Sequence, residues 1–129
     1  MNDNRVTSAK SVLVIDDEPE ILEVVRLCLE GEAIPVLTAL GAKNGLETYD
    51  KHWREIGVVL LDYVMPEMTG DLVFECLRRV NPWARVVLLT GCDDRVARHM
   101  FEAGLSGYIQ KPFYIDDLVQ RVHEELAQA

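Results

Sequence analysis

Acidic residues that follow two apolar runs are the side chains best placed to do chemistry in this chain. Asp62 follows the run Val-Val-Leu-Leu at residues 58–61, and Asp16 and Asp17 follow Val-Leu-Val-Ile at residues 12–15. Three carboxylates at one place cannot all stay ionised without a positive partner. Oxygen ligands favour a hard cation, and Mg²⁺ combines one or two carboxylates with phosphate oxygens. We therefore predict a magnesium site in which a carboxylate is available as a nucleophile toward a phosphoryl group.

Two polar residues in the second half of the chain complete this set. Thr90 ends the apolar run at residues 86–89, and Lys111 follows the short run Gly107–Gln110. A hydroxyl donor and an ammonium group are both suited to phosphoryl oxygens. Each acid, hydroxyl or lysine, taken singly, is as well explained by a helix cap, a turn or a surface side chain. Their shared position at the ends of apolar runs favours one phosphoryl pocket.

The elements that must position these residues alternate along the chain. Apolar runs without polar alternation are typical of strands buried on both faces, and apolar residues recur at helical spacing between them. We predict five strands at residues 11–15, 34–39, 57–61, 85–90 and 107–110, and five helices at about residues 19–30, 42–53, 71–80, 94–103 and 115–126. Such alternation predicts an α/β fold, a doubly wound parallel sheet with helices on both faces.

The sheet edge at the carboxyl ends of the strands is where sites form in open α/β folds, so the polar residues should meet there. Pro35 cannot donate a ladder hydrogen bond, which predicts that the second strand lies at a side edge of the sheet. The buried faces of the third and fifth helices are predicted to include Leu72 and Ile115.

Composition limits the kind of protein. The 129 residues suit one domain, for which we expect a disordered lead-in at residues 1–10 and a folded domain at residues 11–129. A formal net charge of −9 argues against direct nucleic-acid binding. Neither an apolar run long enough for a membrane span nor a signal peptide is evident. Three cysteines without a Cys-x-x-Cys pattern suit a reducing cytoplasm, and the three histidines show no metal-ligand spacing.

Four stretches in this order and spacing resemble the receiver domain of bacterial two-component response regulators. They are VLVIDDEP at residues 12–19, VVLLDYVMPEMTG at 58–70, VVLLTG at 86–91 and AGLSGYIQKPF at 103–113. The resemblance implies a flavodoxin-like strand order of 2-1-3-4-5 and a cis bond between Lys111 and Pro112. It also implies a signalling switch that catalyses only its own phosphorylation and dephosphorylation, with Mg²⁺ as cofactor. The implied partners are a histidine kinase or phosphotransfer protein, and a downstream effector on the face of the fourth helix, fifth strand and fifth helix.

The resemblance also implies a role for individual residues. Asp62 matches the phosphoacceptor, Asp17 the direct metal ligand and Asp16 the acid that reaches the metal through water. The backbone carbonyl of Val64 matches a further metal ligand, although many receivers carry a polar side chain at that position. The remaining matches are the switch hydroxyl, the phosphate-contacting lysine and the aromatic residue that changes rotamer: Thr90, Lys111 and Tyr108. Cys92, two residues after the hydroxyl, is expected beside the site, where it could affect the lifetime of the phosphoryl group.

Two other classes of protein share parts of this pattern. A haloacid-dehalogenase-like phosphatase also uses an aspartate at a strand end, but it needs a second aspartate two residues later, where this chain has Val64. A flavodoxin-like flavin binder needs a Ser/Thr/Gly-rich phosphate loop after the first strand, where this chain has Asp16, Asp17 and Glu18. The sequence leaves open whether the domain stands alone or belongs to a longer regulator or a hybrid kinase.

Overall fold

Strands and helices alternate in the computed structural model, which describes residues 10–91 and 94–129. The strands are β1 (Ser11–Asp16), β2 (Val36–Leu40), β3 (Ile56–Asp62), β4 (Val86–Thr90) and β5 (Gly107–Gln110). The helices are α1 (Pro19–Glu30), α2 (Ala42–His52), α3 (Gly70–Val80), α4 (Asp94–Glu102) and α5 (Ile115–Ala127), and a 3₁₀ turn at Trp53–Glu55 precedes β3. All neighbouring strands pair in parallel in the order β2-β1-β3-β4-β5. The predicted fold class and strand order are confirmed.

The sheet separates two apolar clusters, one on each face. Side chains alternate along β3, so Val59 and Leu61 pack with α2 and α3, whereas Val58 and Leu60 pack with α1 and α5. Every residue of β3 is buried. Burying a Val or Leu side chain contributes about 1.5–3 kcal/mol, so the position of this strand is strongly determined. The residue at its end, Asp62, is held in place by both halves of the core.

Gly45 lets α2 approach the sheet closely. A Cβ atom at this position would lie 2.6–2.8 Å from side-chain atoms of Ile15 on β1. A glycine inside a helix costs roughly 1 kcal/mol relative to alanine. The close contact with the sheet thus requires glycine here, despite its low helix propensity.

Several element boundaries and faces differ from the prediction. β2 begins at Val36, after Pro35, and lies at the side edge of the sheet as predicted. Helix α2 ends at His52 and not at Trp53, where the chain tightens into the 3₁₀ turn. Leu72 is 47% exposed because α3 instead buries Gly70, Val73, Phe74 and Leu77. Ile115 is 38% exposed at the start of α5.

The segments outside the strands bear on three further expectations. Within the segment 1–10, only Lys10 belongs to the described residues, and its Nζ donates to the carbonyl oxygen of Arg54 at 2.8 Å. The Lys111–Pro112 peptide bond is cis, as the resemblance implies. In the described parts of the chain, no helix combines the length and the apolar character needed to cross a membrane.

Candidate functional site

The carboxyl ends of the central strands bring the predicted site residues together. Asp16 is the last residue of β1, Asp62 of β3 and Thr90 of β4, and these three strands are neighbours. Lys111 follows β5, and its backbone N–H donates to the carbonyl oxygen of Thr90 at 2.8 Å. Parallel pairing places all of these ends at one edge of the sheet, because strands that run in the same direction end on the same side. The predicted convergence is thus present in the fold.

Three carboxylates form the centre of the site. Each of Asp16, Asp17 and Asp62 offers an oxygen atom, and these atoms all lie within 4.8 Å of one another. Asp16 is fully buried and Asp62 is 5% exposed. The backbone N–H of Glu18 donates to Oδ1 of Asp16 at 3.0 Å, which fixes the orientation of that carboxylate. This oxygen-only donor set is the kind that binds a hard cation such as Mg²⁺.

Lys111 supplies positive charge to these acids. Its Nζ lies 3.0 Å from Oδ2 of Asp16 and 3.3 Å from Oδ1 of Asp62. A third carboxylate, Oε1 of Glu18, lies 3.5 Å from the same nitrogen. Glu18 is not among the predicted site residues, although the unbroken acidic run that starts at Asp16 is a signal that could have revealed it. One ammonium group cannot neutralise all of these carboxylates, so the site retains excess negative charge.

The electrostatics of the site reflect this imbalance. The pKa of Asp62 is raised from 3.8 to about 6, chiefly by burial and next by the negative charge of Asp16, while Lys111 opposes the shift. Burial also raises the pKa of Asp16, against the hydrogen bond from Lys111. Burial lowers the pKa of Lys111, but the contacts with Asp16 and Asp62 outweigh it, and the net shift is upward. Carboxyl groups that are costly to ionise without more positive charge fit a metal site.

Of the remaining predicted residues, Val64 and Tyr108 belong to the described part of the chain. The side chain of Val64, in the loop after β3, is 61% exposed. Tyr108 lies on β5, beside Leu88 of β4, and is partly buried. Its ring meets that of Phe101 on α4 edge to face, with centroids 6.2 Å apart and planes at 70°. Cys92 lies outside the described residues, so its position beside the site stays a prediction.

Comparison with known proteins identifies the family. The profile of the response regulator receiver domain family matches residues 12–123. The chain therefore belongs to the receiver domains of two-component response regulators, whose known role is to accept a phosphoryl group. This membership decides against the phosphatase and flavin-binding alternatives.

Individual relatives agree with this assignment. The probable transcriptional regulatory protein TcrX of Mycobacterium tuberculosis is 36% identical over 115 residues, which are 87% of this chain and 47% of TcrX. The regulatory protein VanR of Enterococcus faecium is 34% identical over 116 residues, which are 89% of this chain and 49% of VanR. The chain thus spans about half the length of these curated relatives. A receiver domain protein from Clostridium thermocellum has a TM-score of 0.87 at 30% identity, over 92% of this chain and 95% of that chain.

Proposed function

We propose that Asp62 accepts a phosphoryl group from the phosphohistidine of a histidine kinase or phosphotransfer protein. The observation that carries this proposal is the Asp62 carboxylate at the sheet edge, grouped with Asp16 and Asp17 and 3.3 Å from the ammonium group of Lys111. With a pKa of about 6, the carboxyl group is mostly ionised at neutral pH and can act as a nucleophile.

The transfer is a displacement at phosphorus. An oxygen of Asp62 attacks the phosphorus atom in line, and the bond between phosphorus and the histidine nitrogen breaks. The electron pair of that bond returns to the imidazole, and the product is an acyl phosphate on Asp62. Lys111 contacts the incoming phosphoryl oxygens from its place beside Asp16 and Asp62. Fixed positive charge of this kind stabilises the charge of the transferred group.

A metal ion completes this proposed chemistry. Asp16, Asp17, Asp62 and the backbone carbonyl of Val64 would hold Mg²⁺, which would neutralise charge on the phosphoryl oxygens. The protein residues orient the nucleophile, and the same centre supports loss of the phosphoryl group to water. The domain thus catalyses only its own phosphorylation and dephosphorylation, which makes it a switch and not an enzyme acting on other substrates.

The signal leaves the site through Thr90 and Tyr108. The phosphoryl group adds a charge of about −1.5 to −2 and three acceptor oxygens. One phosphoryl oxygen accepts a hydrogen bond from the Thr90 hydroxyl, which draws the loop after β4 inward. Tyr108 then turns toward the vacated space. The edge-to-face contact of Tyr108 with Phe101 would then change, and with it the face of α4, β5 and α5. We propose that a downstream effector domain or protein reads this face.

Phosphorylation with a small phosphodonor tests the central assignment. The protein is treated with acetyl phosphate and Mg²⁺, and the modified residue is located by mass spectrometry. We expect a single modification on Asp62 that is absent in Asp62→Asn. Asp50→Asn, which changes an exposed acid on α2, is the matched control and should be modified like the wild type. A modification that persists in Asp62→Asn would refute the assignment.

A further inference from the structure

Two adjacent concavities lie at the opposite edge of the sheet, where the central strands begin. The first has a volume of 240 Å³, and its lining includes Lys10, Trp53, Arg54 and Arg85. The second has a volume of 330 Å³, and its lining includes Arg78 and Arg85. Trp83, in the loop between α3 and β4, lines both concavities and is 87% exposed. We call these six residues the Trp83 surface.

The charge of this surface is opposite to that of the whole chain. The chain carries 22 acidic residues and a net charge of −9, yet among the described residues no Asp or Glu lines either concavity. Four cationic side chains belong to the lining: Lys10, Arg54, Arg78 and Arg85. In an acidic protein, a cationic area of this kind is suited to an anionic partner.

Among the residues that the structure describes, three of these cations have no neutralising carboxylate. Arg85 pairs with Glu125 of α5 at 3.2 Å. Lys10 instead donates to a backbone carbonyl, and Arg78 donates to the carbonyl oxygens of Ala84 at 2.9 Å and of Gly104 at 2.7 Å. Within residues 10–91 and 94–129, no carboxylate lies within ion-pair distance of Lys10, Arg54 or Arg78. Bonds to carbonyl groups satisfy donors but leave the positive charge uncompensated.

The aromatic residues suit a protein partner. The guanidinium group of Arg54 lies 4.6 Å from the centroid of the Trp53 ring, a cation–π contact that holds the charge at the rim of the first concavity. Trp83 stands between the two concavities with most of its surface in water. Tryptophan and arginine are enriched among the residues that contribute most to protein–protein binding. A partner can therefore bury Trp83 under an apolar side chain while its carboxylates reach the surrounding cations.

We propose that the Trp83 surface binds an acidic segment of a partner protein that also carries apolar side chains. A short segment brings few charges and fits the two concavities, whereas a nucleic acid or an anionic membrane would meet the acids that dominate the rest of this chain. This binding goes beyond the phosphoryl chemistry and does not depend on it, because Trp83 precedes β4 while Asp62 ends β3, at the other edge of the sheet.

Fluorescence anisotropy with a defined probe tests the proposal. The probe is a short fluorescein-labelled peptide of Glu, Asp and Leu, and its control has Gln and Asn in place of the acids. We expect saturable binding of the acidic peptide, weakened at least about tenfold by Trp83→Ala and by Arg54→Glu, with much weaker binding of the amide peptide. Tyr114→Ala removes another aromatic residue, 80% exposed, and Lys43→Glu reverses another exposed charge. Both controls should bind the acidic peptide like the wild type.

The intrinsic fluorescence of the protein gives a second readout. The chain has two tryptophans, and both line the first concavity. In Trp53→Phe, the emission of Trp83 alone should shift when the acidic peptide binds. The proposal is overturned if the peptide fails to bind, if Trp83→Ala binds it unchanged, or if a thymidine oligonucleotide or phosphatidylglycerol vesicles bind this surface more tightly. Trp83→Ala should keep wild-type modification by acetyl phosphate, so failure here is separable from failure of the Asp62 assignment.

Discussion

Nζ of Lys111 lies 3.0 Å from Oδ2 of the fully buried Asp16, which ties the segment after β5 to the end of β1. The same ammonium group reaches Asp62 and Glu18, so a single cation serves three carboxylates contributed by two strands and a loop. The site can therefore bind a further cation. While that cation is absent, the excess buried negative charge lowers the stability of the folded protein.

The first prediction concerns pH and the metal-free protein. The folded protein holds the proton of Asp62 more tightly than the unfolded chain, since burial and the negative charge of Asp16 raise its pKa from 3.8 to about 6. This contribution to stability is fully present below pH 3.8 and is lost as the pH rises through about 6. Asp62→Asn removes the charge and should raise the free energy of unfolding at neutral pH by about 1–3 kcal/mol. Urea unfolding in the presence of chelator, at several pH values, measures this free energy for both proteins.

The matched control for this experiment is Asp50→Asn, which changes an exposed acid on α2. It should leave both the stability and its pH dependence close to those of the wild type. Equal stability of Asp62→Asn and wild type across this pH range would contradict the prediction.

The second prediction concerns removal of the metal. Phosphorylation by acetyl phosphate should require Mg²⁺, because Asp16, Asp17 and Asp62 crowd the place where an anionic phosphoryl group must enter. Without phosphate, Mg²⁺ should bind only weakly. Chelator should leave the fold intact, since the two apolar clusters do not include the site carboxylates. Far-UV circular dichroism and phosphorylation are measured on the same samples. A chelator that unfolded the protein but left phosphorylation intact would contradict the prediction.

The third prediction concerns the lifetime of the phosphoryl group. Hydrolysis requires a water molecule positioned in line with the acyl phosphate, and Val64 has neither a donor nor an acceptor in its side chain. Val64→Asn should therefore shorten the lifetime without changing Mg²⁺ binding, since the proposed ligand at this position is the backbone carbonyl. Val64→Ala separates the loss of bulk from the gain of a polar group, and Cys92→Ala tests the other neighbouring position. Unchanged or slower decay in Val64→Asn would contradict this mechanism.

The fourth prediction concerns transmission to α4. Beryllofluoride, a phosphoryl mimic, should shift amide resonances at the Asp62 edge and also around Tyr108 and Phe101, whose rings are in contact. Thr90→Ala should confine the shifts to the site, because it removes the hydroxyl that, in the proposed switch, draws the loop after β4 inward. Thr90→Ser keeps the hydroxyl and should restore the distant shifts. Shifts confined to the site in the wild type would count against a switch through Tyr108.

The fifth prediction concerns the end of α4. Nε and Nη2 of Arg78 donate to the carbonyl oxygens of Ala84 and Gly104, which joins α3 to the segments before β4 and β5. Lysine has one donor nitrogen in place of the separate Nε and Nη2, so Arg78→Lys should weaken at least one of these bonds, cost about 1–2 kcal/mol of stability and speed hydrogen exchange at Gly104. Arg79→Lys alters a neighbouring arginine whose side chain is 77% exposed, and it should change neither. Equal exchange in the two variants would show that the Arg78 bonds do not hold this segment.

Much of this architecture could be predicted from sequence because the signals are local. The unbroken apolar run of β3 and the acids after β1 and β3 indicate a parallel sheet whose carboxyl edge carries a site. The rotation of α3 about its axis could not be predicted, because Leu72, Val73 and Phe74 are all apolar. Gly70 decides it, since a Cβ there would lie 2.8 Å from Cα of Tyr63, so that this side of the helix must face the sheet.

Interactions between segments that are distant in sequence also could not be predicted from local sequence patterns. Glu18 meets Lys111 across 93 residues of sequence, and only the paired strands bring the two together. Glu125 continues a helical stretch with many charged residues, yet it is buried because Arg85 and Arg121 neutralise it. Nothing in the spacing of Glu125 distinguishes it from an acid on a solvated helix face.

The division of the core by the sheet also bears on how this protein tolerates change. Leu29 belongs to the cluster on the α1 and α5 side, and Leu77 to the cluster on the α2 and α3 side. Because the clusters share no side chain, the energetic effects of substitutions at these two positions should be additive in a double-mutant cycle. Each half of the interior can then be altered without compensation in the other. The surface above one half can acquire new specificity while the opposite surface keeps its existing interactions.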